Sequence, residues 1–195
     1  MQSQIKTFKL SMLLSLTLFS LQGLALDYNN SIGIGAHLDT VKEDLPANFD
    51  LKNETSPAAT IGWRAIALWG NIGIRTGAFL EFKDVDIKDR AAPAGEDDIE
   101  LRAYYAAIPL NLHFKLNNDW AFFGGITPRV LLAKTCEDCG RFDEDEKIIV
   151  NYYSGGLAYM FNNKLGADLV FHNAASEAFK GIKINTAQVL FHYEL

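Results

Sequence analysis

Three short stretches carry residue types and spacings that could do chemistry. Cys136-Glu137-Asp138-Cys139-Gly140 is a C-x-x-C, a spacing shared by redox pairs, half zinc sites and small disulfides. A structural zinc ion needs four ligands, and these are the chain's only two cysteines. A redox pair belongs in a thioredoxin-like setting, and no such setting surrounds this one. In an exported chain the expectation is a Cys136–Cys139 disulfide pinning a loop. The same region continues Asp143-Glu144-Asp145-Glu146. Carboxylates suit hard divalent cations, which would bridge to lipopolysaccharide phosphates. The spacing is not that of an EF-hand, so a solvated acidic loop without a metal is expected.

The third stretch is His172-Asn173-Ala174-Ala175-Ser176-Glu177. A histidine beside a serine and an acid can activate a nucleophile, and the trio faintly resembles that of outer-membrane lipid A deacylases. There the serine follows the histidine by two positions, whereas here it follows by four. The expectation is a strand-end histidine and a loop serine, with no catalytic residue and no cofactor. A fourth constellation is dispersed. Arg64, Arg75, Glu81, Arg129 and Asp168 lie far apart in the chain but fall on matching faces of the elements that hold them.

Those elements are read from hydrophobic alternation. Tyr104, Ala106, Ile108, Leu110, Leu112, Phe114 and Leu116 form one apolar parity. The other runs Ala103, Tyr105, Ala107, Pro109, Asn111, His113 and Lys115. Such a segment is a strand between two different environments. Ile61, Trp63, Ala65, Ala67 and Trp69 alternate with Gly62, Arg64, Ile66 and Leu68. Ile72, Ile74, Thr76, Ala78, Leu80 and Phe82 alternate with Gly73, Arg75, Gly77, Glu81 and Lys83. Leu165, Ala167, Leu169 and Phe171 alternate with Gly166, Asp168 and His172, and the C-terminal residues repeat the pattern. Eight strands are predicted, near 28–42, 58–69, 71–84, 98–116, 119–134, 147–161, 164–174 and 182–195; alternation does not orient 147–161. Gly70-Asn71, Asn117-Asn118 and Asn162-Asn163 are tight-turn signals. Longer polar loops fall near 43–57, 85–97, 135–146 and 175–181.

Short turns alternating with long loops describe an up-and-down antiparallel β-barrel. The outward solvent decides its class. The apolar stripes carry Trp63, Trp69, Trp120, Phe191 and Tyr193, with Phe82, Tyr104, Phe114 and Phe171, as girdles at a lipid interface would. The opposite face holds the five charges, which would be costly in an apolar ligand cavity but can pair inside a small barrel. Eight strands leave an interior just wide enough for side chains. The expectation is therefore an eight-stranded transmembrane barrel over 26–195 with short periplasmic turns, and a paired lumen charge network in place of an ion pathway.

The first 25 residues are expected to be a secretory signal peptide: Lys6 and Lys9, an apolar Leu10–Leu21, then Gly23-Leu24-Ala25. Its apolar run is short for a spanning helix, which needs about 20 residues. Cleavage after Ala25 removes two lysines and no acid, so a formal charge of −6 becomes −8. That balance disfavours nucleic acid as a partner, and none is expected.

From about residue 28 onward the chain resembles the PorT-like outer-membrane β-barrel family. The residues that carry the resemblance are Thr76–Phe82, Tyr105-Ala106-Ala107-Ile108-Pro109-Leu110-Asn111-Leu112 and Phe123–Lys134, the last a Gly-rich strand ending Ala-Lys. The resemblance implies the fold and the outer membrane of a Gram-negative bacterium. It transfers no catalytic residue. Phe191-His192-Tyr193-Glu194-Leu195 is similar to the C-terminal strand that such barrels present to the barrel assembly machinery, with Leu at the last position instead of Phe or Trp. The expected role is non-enzymatic, structural or adhesive, for a monomer in contact with outer-membrane lipid and lipopolysaccharide. The alternatives are a lipid A-modifying hydrolase and an exported barrel binding a small hydrophobic ligand.

Overall fold

The computed structural model describes residues 27–43, 49–51, 55–89, 98–137, 147–178 and 182–195. Ten strands run in chain order: β1 (Asp27–Glu43), β2 (Phe49–Leu51), β3 (Thr55–Trp69), β4 (Ile72–Asp89), β5 (Asp98–Ala107), β6 (Leu110–Lys115), β7 (Trp120–Glu137), β8 (Ile149–Met160), β9 (Leu165–Ala174) and β10 (Ile182–Glu194). The described residues contain no helix. Every pairing is antiparallel, and β1 pairs with both β3 and β10, so the sheet closes on itself. Closure removes the edge strands that an open sheet would expose.

Ten strands make eight staves. β5 and β6 both lie between β4 and β7 and count as one. The break falls at Ile108-Pro109, because proline has no N–H for the ladder; Ile108 N–H donates to Pro128 O at 3.0 Å. β2 pairs with the loop end of β4 and prolongs the β3 stave.

The side-chain period of two sorts the faces. Ile32, Ile34, Ile61, Leu80, Leu112, Ile126, Leu169 and Phe171 are exposed on the outside. Inward residues are buried, both polar and charged. An apolar exterior around a charged interior is the inverse of a soluble ligand-binding barrel. β8, unoriented by its sequence, places Val150, Tyr152, Ser154 and Ala158 inward, and Ile149, Tyr153 and Leu157 outward.

The three short turns are built alike in part. Asn117 Oδ1 accepts from the amides of Asp119 (2.9 Å) and Trp120 (2.8 Å). Asn162 Oδ1 accepts from those of Lys164 (2.8 Å) and Leu165 (2.9 Å). Side-chain oxygens here mimic a backbone turn. Gly70 supplies the third turn at φ 66°, where an L side chain would be strained.

Candidate functional site

The chemistry of this molecule is concentrated in the lumen, in two clusters of buried charge. In the cluster toward the short turns, Asp168 of β9 receives both Arg64 and Arg75. Arg64 Nη1 donates to its two oxygens at 3.1 and 3.0 Å, and Arg75 Nη2 donates to Oδ2 at 2.6 Å. Arg64 Nε donates to Ser31 Oγ at 2.9 Å, and Nη2 to His192 Nδ1 at 2.9 Å. Because that nitrogen accepts, the His192 proton sits on Nε2, 3.3 Å from Asp168 Oδ1. The Arg75 guanidinium also lies 3.8 Å over the Phe123 ring.

In the second cluster Arg129 forks onto Glu81, with Nε 2.7 Å from Oε2 and Nη2 3.2 Å from Oε1. It stacks 3.8 Å over Tyr152. Lys83 sits between two carboxylates, paired with Asp39 Oδ1 and 3.9 Å from Glu81 Oε2. Thr186 Oγ1 accepts from Lys83 at 2.9 Å and donates to Asp39 at 2.6 Å. His37 Nε2 lies 3.4 Å from Asp39 Oδ2. A neutral relay occupies the wall between the clusters: Thr127 donates to Ser154, and Ser154 donates to Asn111 Oδ1, each at 2.9 Å. Beyond the second cluster, toward the long loops, the lumen becomes apolar. Val41, Leu101, Tyr105, Val150, Ile182 and Ile184 pack into one buried cluster with Ala178. The interior is thus charged in its middle and dry at its loop end.

All five residues read from alternation, Arg64, Arg75, Glu81, Arg129 and Asp168, lie inward and buried. The partners Asp39, His37, Lys83, Ser31, Thr186 and His192 were not assigned to a network in the sequence. Lys83, Thr186 and His192 did stand on the inward parity of their strands, and all four of the chain's histidines prove to be buried in the lumen. Trp63, Trp69, Trp120, Phe191 and Tyr193 are all exposed on the outer wall. Trp120 and Tyr159 rings lie 4.6 Å apart next to two short turns, whereas Phe191 faces Ile34 within the apolar belt.

His172 and Ser176 do not act on each other. His172 Nε2 is 3.2 Å from Gln188 Oε1 inside the barrel, and Ser176 Oγ accepts from the Asn151 amide at 3.3 Å. Cys136 is the penultimate residue of β7, and Cys139, like the acids 143–146, lies outside the described residues. The described residues contain no cluster of metal-ligating side chains.

No family model matches the chain, and no curated protein sequence matches it. Solved structures do. The attachment invasion locus protein Ail of Yersinia pestis, solved in complex with the heparin analogue sucrose octasulfate, is similar at TM-score 0.51 and 14% identity, covering 87% of this chain and 100% of that one. Neisserial surface protein A aligns over 85% of this chain and 96% of its own at 9% identity and TM-score 0.46. The chain has the fold of the small eight-stranded outer-membrane barrels, and the bacterial outer membrane is where barrels of this build reside.

Proposed function

We propose that this protein is a non-enzymatic barrel of the outer membrane that works by surface contact through its long loops. One observation carries the reading: the lumen is filled. Among the described residues the mid-lumen charges of both clusters are paired, and an apolar plug packs the loop end, so neither a through-going pore nor a deep substrate cleft runs along the barrel's middle. The same packing speaks against the hydrophobic-ligand alternative, and the separate partners of His172 and Ser176 speak against the hydrolase. Ail is named for attachment and invasion, which fits a contact role. Its polyanionic ligand is a poor guide to this chain, whose loops include Asp143-Glu144-Asp145-Glu146 within a formal charge of −6. Cationic patches on a partner, or cations bridging to lipopolysaccharide, suit such loops better.

The finer parts of the reading rest on sequence. They are a signal peptide over 1–25, a Cys136–Cys139 disulfide, a PorT-like kinship, delivery to the assembly machinery by Phe191–Leu195, and a monomeric state. The deciding experiment displays the barrel on a non-adherent Gram-negative host and scores attachment to epithelial cells and matrix-coated surfaces. Attachment is expected, and it should fall when 138–146 is replaced by a neutral Gly/Ser linker. A surface-exposed barrel that confers no attachment would overturn the proposal.

A further inference from the structure

Among the described residues Lys83 is the one buried lysine, 1% exposed, and Asp39 beside it is equally enclosed. Lys83 Nζ lies 2.5 Å from Asp39 Oδ1, so the carboxyl carbon is one C–O bond farther on. The arginines paired with carboxylates elsewhere in the lumen stay charged. A lysine differs, because its amine is a nucleophile once it has lost a proton. Three contacts suit that reaction. Thr186 Oγ1 accepts from Nζ at 2.9 Å and donates to Oδ1 at 2.6 Å, which is a one-hydroxyl path for a proton from amine to carboxylate. Glu81 Oε2, 3.9 Å from Nζ, is a second carboxylate within reach. His37 Nε2 is 3.4 Å from Oδ2, the oxygen that gathers negative charge when the carbon is attacked. The site also borders the dry layer. Asp39 and Thr186 are cross-strand partners, and the next inward pair along, Val41 and Ile184, belongs to the apolar cluster.

We infer that Lys83 and Asp39 become joined in the folded barrel by an isopeptide bond, formed by the residues that already surround them. The step is a condensation. The ammonium passes one proton through Thr186 to Oδ1, and the neutral amine attacks Cγ. Glu81 takes a second proton from the nitrogen and returns it to Oδ1. The Cγ–Oδ1 bond then breaks, Oδ1 leaves as water, and Oδ2 remains as the amide carbonyl. Nothing is oxidised or reduced, and the net charge is unchanged. Contact between the groups supplies the effective concentration that a free amine and acid lack in water. The product carries no charge at either position, which removes the cost of keeping two ions away from water. Asp39 is on β1 and Lys83 on β4, with the β3 stave between them. The bond is therefore a covalent strut across the lumen beneath the dry layer. It is independent of the loop-contact reading, since it acts on the barrel's endurance and not on its partners.

The test compares intact masses of one preparation of the full chain, part kept unfolded in urea and part folded into detergent micelles, both fully reduced. The folded part should be lighter by one water, and tandem mass spectrometry should find Lys83 and Asp39 in one branched peptide. Lys83→Arg should keep the full mass and, after boiling in SDS, should migrate differently from the parent, whose unfolded chain still holds the closed loop. Glu81→Gln should slow the loss of water about a hundredfold, as removal of a general base does. A parent that keeps its full mass while its gel mobility still shifts on boiling would overturn the inference. So would a loss of water that persists in Lys83→Arg, which marks cyclisation at an aspartate. An unchanged rate in Glu81→Gln would overturn the role given to Glu81. The parent's branched peptide decides the matter even where a variant does not fold.

Discussion

Asp168 holds two guanidiniums and faces a histidine while fully enclosed. Removing one member of a buried ion pair strands the other, at a cost of about 3–5 kcal/mol. Asp168→Asn strands two, so its folded barrel should lose SDS resistance well below the parent's temperature, and its unfolding free energy from urea titration should fall by that order. An unchanged free energy would mean that water enters the mid-lumen and solvates the arginines. A smaller residue sets a second constraint. A Cβ added at Gly166 would lie 2.3 Å from His192 Cε1, so the glycine is what gives the imidazole its place beside Asp168. Gly166→Ala should cost about 1–3 kcal/mol, as overpacking does, and His192→Ala in the same chain should recover part of that loss. Additive losses, measured by the same urea transitions, would show that the two positions do not compete for space. The network's core was legible because charges on a strand's inward parity have nowhere else to go. Asp39 and His37 were missed, and Thr186 was left without a partner, because β1 and β10 meet only when the barrel closes, and nothing local in either segment announces that contact.

At the scale of the strand, alternation is a strong signal while register holds and fails where register slips. β7 carries one extra residue opposite Tyr104 and Tyr105, which pair with Ala133 and Leu131. Leu132 is the added residue. Beyond it the faces exchange parity, so Lys134 stands opposite buried Ala103, although even positions earlier in β7 face outward. A sequence has no mark for that slip, just as it has none for the orientation of β8, whose two parities are similar in polarity. Sequence did locate the turns, since asparagine pairs have a physical reason to be there. Removing one carbonyl tests that reason: Asn162→Ala should cost about 1 kcal/mol, the two hydrogen bonds that its one side-chain oxygen accepts being only partly replaced by water. On the lipid face the scale is larger. Ile126, mid-strand in β7 and 46% exposed, changed to arginine should cost about 2–4 kcal/mol when folding is measured into bilayers. The neighbouring inward position has no such penalty from lipid. A cost near zero for Ile126→Arg would mean that this wall does not face hydrocarbon.

For the whole molecule, the axial order of the interior decides what the barrel can pass. Ions arriving from the short-turn mouth meet Arg64, Arg75 and Asp168, then the Glu81–Arg129 and Asp39–Lys83 pairs, and finally the packed side chains of Leu101, Val150, Ile182 and Ile184. The charged clusters alone would slow an ion, because their pairs must open to admit it. The apolar end would stop it, since no polar group there replaces lost hydration. The two barriers are in series, so opening one leaves the other. Arg129→Ala should therefore give no conductance steps in a planar bilayer, like the parent. Arg129→Ala combined with Val150→Ser and Ile184→Ser, which places hydroxyls in the dry layer, should give small, brief steps. Steps from the parent, or from Arg129→Ala alone, would show that the loop end is open to water and would return the lumen to the list of working parts. If the parent and both variants are silent while their gel mobility still shifts on boiling, two added hydroxyls are too few to wet the apolar layer, and the plug is a stronger barrier than the charged pairs.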